Sequence, residues 1–149
     1  LFICTGNCSR SPLAEAYFRH LCVQNKLEEV TCHSAGTNVK EESEVPEEAK
    51  EVMTSLGLNL DNHIPRQIDE DIINSSDHIV AMDASHLEFL NKKFKTASKD
   101  KTRLLMSTLD LQDDVDDPYS GDLETFQECF LTMMPALANL ADRIMRSTR

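Results

Sequence analysis

The chain has 149 residues, 40% of them hydrophobic, with 15 Lys and Arg against 26 Asp and Glu, a formal net charge of -11 and a pI near 4.8. That length and apolar content can fill one core without disulfide or metal staples, so a single domain over 1–149 is expected. The negative charge repels polyanions and argues against a nucleic-acid partner, and no apolar run approaches the roughly 20 residues that a membrane-spanning helix needs. Cys4, Cys8, Cys22, Cys32 and Cys129 are odd in number and lack the spacing of a zinc site, so they read as reduced thiols of a cytoplasmic protein.

Leu1-Phe2-Ile3 is expected to close a buried first strand whose beginning lies upstream of Leu1, and no signal-peptide pattern opens the chain. A loop rich in Gly, Asn and Ser follows. It leads into a helix with Leu13, Ala16, Tyr17 and Leu21 on one face, Pro12 in the first turn, where a missing N–H costs nothing, and Glu15 near its positive end. Val30 to Cys32 reads as a short second strand running on to Ser34-Ala35-Gly36-Thr37, and the acidic stretch from Lys40 to Glu48 as a surface loop. Ala49, Val52, Met53 and Leu56, at i, i+3, i+4 and i+7, predict a second helix that Gly57 stops. Ile79 to Met82 is expected as a third strand, Leu87, Leu90 and Phe94 as a helix, and Leu104-Leu105-Met106 as a fourth strand. The clearest stripe, Phe126, Phe130, Met133, Met134, Leu137, Ala141 and Ile144, marks a last helix and belongs to the core. This alternation predicts an α/β fold, a doubly wound four-stranded parallel sheet with helices on both faces and ligands beyond the carboxyl ends of its strands.

The loop Cys4-Thr5-Gly6-Asn7-Cys8-Ser9-Arg10 lies at that edge. A cysteine six residues before an arginine is a weak pattern alone; its place between a strand and a helix makes it informative. Gly6 and Asn7 accept left-handed backbone angles, so such a loop can turn successive N–H groups inward as an anion nest ahead of a positive helix end. The same field and the arginine favour the thiolate of Cys4, and the Ser11 hydroxyl can hydrogen-bond to it. The planar guanidinium of Arg10 can grip two phosphoryl oxygens at once. Attack by Cys4 further needs an acid for the leaving oxygen and then a base for water. Within Asp113-Asp114-Val115-Asp116-Asp117-Pro118-Tyr119, Asp117 stands out because Pro118 keeps it from helical geometry. The other carboxylates read as a solvated acidic loop.

These segments together resemble the low-molecular-weight protein tyrosine phosphatases: Cys4 through Pro12, Ser34-Ala35-Gly36-Thr37, His63-Ile64-Pro65-Arg66-Gln67-Ile68, Met82-Asp83 and Asp117-Pro118-Tyr119, in this order across almost the whole chain. The resemblance implies Cys4 as nucleophile, Arg10 as phosphate ligand within a phosphate-binding loop of Thr5, Gly6, Asn7, Cys8, Ser9 and Arg10, and Asp117 as general acid. It implies no metal or other cofactor, a phosphorylated protein as substrate, a network of Asn7, Ser34 and His63 bracing the loop, and Tyr119 as one wall of the cleft.

Three departures from the family pattern matter. The family commonly has an apolar residue and then a cysteine before the arginine, whereas this chain has Cys8 and then Ser9, so the resemblance leaves open whether Cys8 forms a protective disulfide with Cys4. Asn38-Val39-Lys40 and Ser120-Gly121 stand where the family often places aromatics. Relatives acting on phosphoarginine tend to carry threonine in the slot of Cys8. Phosphotyrosine hydrolysis is therefore the leading expectation, with phosphoarginine as the alternative substrate. Arsenate reduction would need resolving cysteines that 78–90 lacks, and a phosphocarrier or phosphate-binding module would need neither Arg10 nor Asp117.

Overall fold

The computed structural model describes residues 1–148; Arg149, the last residue of the expected domain, lies outside the described residues. Four short strands, β1 (Phe2–Cys4), β2 (Ser34–Gly36), β3 (Ile79–Ala81) and β4 (Thr102–Leu104), form one sheet in the order β2-β1-β3-β4. Every pairing is parallel, with Phe2 opposite both Ser34 and Val80. The strand residues face alternate sides, as the period of two requires. Phe2, Cys4, Val80 and Met82 enter one apolar cluster, while Leu1, Ile3 and Ile79 enter another. Helices α1 (Arg10–Gln24), α2 (Glu47–Thr54) and α5 (Leu123–Ser147) cover the first face, and α3 (Glu70–Asn74) and α4 (Ala84–Lys93) cover the second. The expected doubly wound four-stranded parallel sheet is the fold observed.

Several boundaries differ from expectation. The second strand is Ser34–Gly36, and Val30 to Cys32 is unpaired chain leading to it, because β1 begins its ladder through Phe2 N–H donating to His33 O at 2.9 Å. The fourth strand is Thr102–Leu104, and Leu105 and Met106 open a 3-10 turn that runs to Leu109. Leu56 lies past α2 and is exposed. There the chain leaves the helix through Gly57 at φ 73°, with Leu58 N–H returning to Met53 O and Gly57 N–H to Thr54 O. That double bond back to the last turn is the left-handed stop glycine allows. On α1 the buried face runs through Leu13, Ala14, Phe18, Leu21 and Cys22, leaving Ala16 and Tyr17 at its margin. Helix α3, capped by Asp69 accepting from Ile72 N–H, was not apparent from hydrophobic periodicity.

The order β2-β1-β3-β4 places the switch of winding direction at the end of β1, since the chain goes to β2 on one side and β3 on the other. Cys4 is the last residue of β1 and Arg10 the first of α1, so the loop sits at the crevice where such sheets take ligands. Among the described residues no helix is long and apolar enough to cross a membrane.

Candidate active site

Helix α1 starts without a side-chain cap: Ser9 precedes it, but its hydroxyl accepts no helix N–H. Among the described residues no backbone carbonyl accepts from the N–H groups of Gly6 through Ser11. Such a run of free donors at a helix N-terminus is suited to an anion. The loop's backbone is pressed against β2 at Gly36, where a Cβ would lie 2.5 Å from Thr5 O and 2.7 Å from Val39 Cγ2. This fixes glycine in the Ser34-Ala35-Gly36-Thr37 segment.

Asn7 turns the loop at φ 53° and is fully buried, with every polar end of its side chain engaged. Its Nδ2 donates to Ser11 Oγ and Ser34 Oγ, both at 2.9 Å, and its Oδ1 accepts from Arg66 N–H at 3.0 Å. His63 Nε2 donates to Asn7 O at 2.9 Å. Ser34 Oγ in turn donates to Glu15 Oε2 at 2.6 Å, and His63 Nδ1 lies 3.7 Å from the same carboxylate. The bracing network of Asn7, Ser34 and His63 is present, and it ends on Glu15, to which no bracing role had been expected. Ser11 Oγ already accepts from Asn7, so its proton is free for Cys4 Sγ, 2.9 Å away.

Arg10 is equally fixed. Its Nη1 donates to Asp83 Oδ2 and to Val115 O, both at 2.8 Å, and its Nη2 lies 3.5 Å from Thr5 Oγ1 and 3.6 Å from Asp117 Oδ2. Asp83 also caps α4, accepting from Ser85 and His86 N–H. Burial alone would push its carboxyl up, but hydrogen bonds from Ser85 and Arg10 and the charges of His86 and Arg10 outweigh that and hold it below the ordinary value. The Met82-Asp83 motif alone carries no role in the sequence; the signal for one is an acidic residue just before a helix. Burial pushes the other thiols up, Cys32 to about 11 and Cys129 to about 12, which keeps them protonated and inert.

Cys4, Thr5, Gly6, Cys8, Ser9, Arg10 and Asp117 line one pocket of about 280 Å³, whose outer wall is Asn38, Lys40, Ser43 and Tyr119. Asp117 reaches it from the loop after the 3-10 turn at Leu105–Leu109, its carboxylate half exposed and accepting from Tyr119 N–H at 3.1 Å. Among the described residues Tyr119 is the one aromatic on this rim, in line with the missing aromatics at 38–40 and 120–121. Cys8 Sγ lies in the same pocket and donates to Gly6 O at 3.2 Å; burial is the main reason its thiol titrates above the ordinary value. A larger cavity of about 520 Å³ lies behind the loop, between Glu15, Arg19, His33, His63 and Arg66. Its charged groups already satisfy one another, Arg19 with Glu15 at 2.7 Å and Arg66 with His33 Nδ1 at 2.8 Å, and Cys4 does not open into it.

The family model of the low molecular weight phosphotyrosine protein phosphatases matches residues 1–149. The chain belongs to this family. It is 34% identical over 135 residues to the low molecular weight phosphotyrosine protein phosphatase of Gallus gallus, covering 87% of this chain and 85% of that protein. A solved low molecular weight phosphotyrosine phosphatase of Vibrio cholerae superposes with a TM-score of 0.90 at 28% identity, over 98% of this chain and 95% of the other. A cysteine-to-serine variant of the arginine phosphatase YwlE, solved with a phosphorylated active-site serine, matches at a TM-score of 0.90 and 27% identity, over 96% and 93% of the two chains. The proteins to which this chain is similar thus include some named as phosphotyrosine protein phosphatases and some named as arginine phosphatases.

Proposed function

We propose that this chain is a single-domain cytoplasmic phosphatase that hydrolyses phosphotyrosine in proteins through a phosphocysteine on Cys4. The observation that carries the reading is the shared pocket: a sulfur at the floor, a guanidinium and free backbone donors around it, and a carboxylate at the rim. Cys4 Sγ attacks phosphorus, with Ser11 Oγ stabilising its thiolate from 2.9 Å. Arg10 and the N–H groups from Gly6 to Ser11 hold the equatorial oxygens as charge develops on them. Asp117 gives its proton to the leaving phenolate oxygen and then takes one from the water that attacks the phosphocysteine, freeing phosphate and restoring the thiolate. The relative trapped with phosphate on the serine replacing its cysteine supports the covalent step.

Tyr119, exposed at the mouth, supports an aryl phosphate, because an aromatic ring stacking on it gains about 0.5–1.5 kcal/mol beyond burial. The net charge of -11 supports a protein substrate over nucleic acid or an anionic membrane. Two measurements test the reading. Cys4→Ser is expected to abolish turnover of p-nitrophenyl phosphate, and wild-type activity in that variant would remove Cys4 as nucleophile. On matched peptides kcat/KM is expected to be highest for phosphotyrosine; a higher value for phosphoarginine would replace tyrosine as the substrate while leaving the chemistry in place.

A further inference from the structure

Thr5 Oγ1 lies 2.9 Å from His86 Nε2, a contact between the phosphate loop and α4. The direction of this bond is set on the far side of the ring. Asp83 N–H donates to His86 Nδ1 at 3.1 Å, the return half of the capping box that opens α4. A ring nitrogen that accepts carries no proton, so the neutral imidazole keeps its hydrogen on Nε2 and donates it to Thr5. The ring is 1% exposed, and burial, opposed chiefly by Asp83, lowers its pKa from 6.5 to about 4, which keeps it neutral at physiological pH.

Arg10 Nη2 approaches the same hydroxyl oxygen at 3.5 Å and, as a guanidinium nitrogen, can only donate. Two donors are therefore aimed at the two lone pairs of Thr5 Oγ1, and its own hydrogen is left to point elsewhere. Among the described residues no acceptor stands opposite that hydrogen. Thr5 lines the pocket with Cys4 and Asp117, and Arg10 Nη2 is within reach of both, 3.5 Å from Thr5 Oγ1 and 3.6 Å from Asp117 Oδ2.

We propose that Thr5 is a further catalytic residue, whose hydroxyl donates to a phosphoryl oxygen on the Asp117 side of the pocket in a direction fixed by His86. The inference rests on the phosphatase reading above and adds a side-chain donor to the backbone donors of the loop. His86 is a positioning residue, acting through Thr5. Asp83 anchors both side-chain donors, orienting His86 through its backbone N–H and Arg10 through its carboxylate. A hydroxyl pre-aimed in this way needs no reorganisation when the phosphoryl charge develops, which is where such donors contribute most.

Binding of inorganic phosphate by calorimetry and kcat/KM on p-nitrophenyl phosphate, both at neutral pH, test this in wild type, Thr5→Ser, Thr5→Val, His86→Asn and the Thr5→Val/His86→Asn pair. Thr5→Val keeps the shape and removes the donor, and it is expected to weaken both quantities about tenfold, the loss typical of one hydrogen bond to a charged group. Thr5→Ser is expected to restore both. His86→Asn retains an acceptor for Asp83 N–H but cannot reach Thr5; it should give a smaller loss, and the pair should be no worse than Thr5→Val alone. Wild-type phosphate affinity and turnover in Thr5→Val would overturn the proposal, as would losses that multiply in the pair. A wild-type protein that binds phosphate without turnover, together with a Thr5→Val binding defect, would refute the phosphatase reading and still support the Thr5 donor.

Discussion

The loop from Cys4 to Arg10 and the loop from Asp113 to Tyr119 meet across one pocket, yet they are held in different ways. In the first, Asn7, Ser9 and Arg10 are all buried, and Asn7 by itself ties the loop to Ser11, Ser34, His63 and Arg66. In the second, the Asp117 side chain is 49% exposed and Tyr119 72% exposed. That loop is anchored at Asp114 and Val115, through Ala84 N–H and Met82 O, while Asp117 and Tyr119, proposed to meet substrate, lie beyond the anchor. The difference follows the chemistry. Phosphate has one shape, so its site can be set before it arrives, and preorganised donors act best when fixed. Leaving groups vary, and Asp117, the acid proposed to serve them, stands at the solvent edge.

Breaking the fixed side is expected to have the largest effect. Arg10→Lys keeps the charge but loses the planar fork that Asp83 and Val115 O hold in place through Nη1, and kcat/KM on p-nitrophenyl phosphate should fall by about 10²–10³. A loss under tenfold would mean that a point charge suffices there. On the exposed side, Asp117→Asn should lower kcat/KM by roughly 10² for phenyl phosphate and far less for p-nitrophenyl phosphate, since that ratio reports the phosphorylation step, in which only the poorer leaving group needs the proton. Equal slowing of both substrates would remove the acid role.

Smaller effects sharpen the contrast in stability. Asn7→Gly keeps the left-handed turn and removes the bracing amide, at a cost of about 2 kcal/mol, and Asn7→Ala adds about 1 kcal/mol of backbone strain; denaturant midpoints measure both. Identical midpoints for Gly and Ala would show that the positive φ carries no cost. A last effect is a pH slope. His86 titrates near 6.5 when unfolded and at about 4 in the fold, so between those values the unfolded chain binds the extra proton and stability falls as pH drops. The thermal midpoint of His86→Asn should therefore decline less from pH 6.5 to 4 than that of wild type; parallel slopes would show that the buried ring does not resist protonation.

What the sequence disclosed was local. A strand, a loop with Gly6 and Asn7, and Pro12 inside a helix all lie within one short segment, as do Asp117 and Pro118, so their geometry follows from neighbouring residues. The position of β2 was not local: its pairing with Phe2 decides which residues become strand, and the β-branched Val30 and Thr31 drew the expectation four residues early. The 3-10 turn at Leu105 was hidden for the same reason, since an apolar run carries no mark of where its sheet partner ends. Site residues followed the same division. Cys4, Arg10 and Asp117 stood out by motif, whereas Glu15, Asp83 and His86 act through partners far along the chain, and only the fold brings Thr5 to His86.

The central claim is that the fixed loop supplies the covalent nucleophile and the exposed loop only moves protons. Rapid mixing of Asp117→Asn with p-nitrophenyl phosphate, an acid quench and peptide mapping test it directly, because loss of the base should let the intermediate accumulate. The account predicts one phosphate on the peptide that carries Cys4, formed in step with the first equivalent of nitrophenol. Nitrophenol released with no phosphate on the protein, or phosphate on another residue, would contradict it.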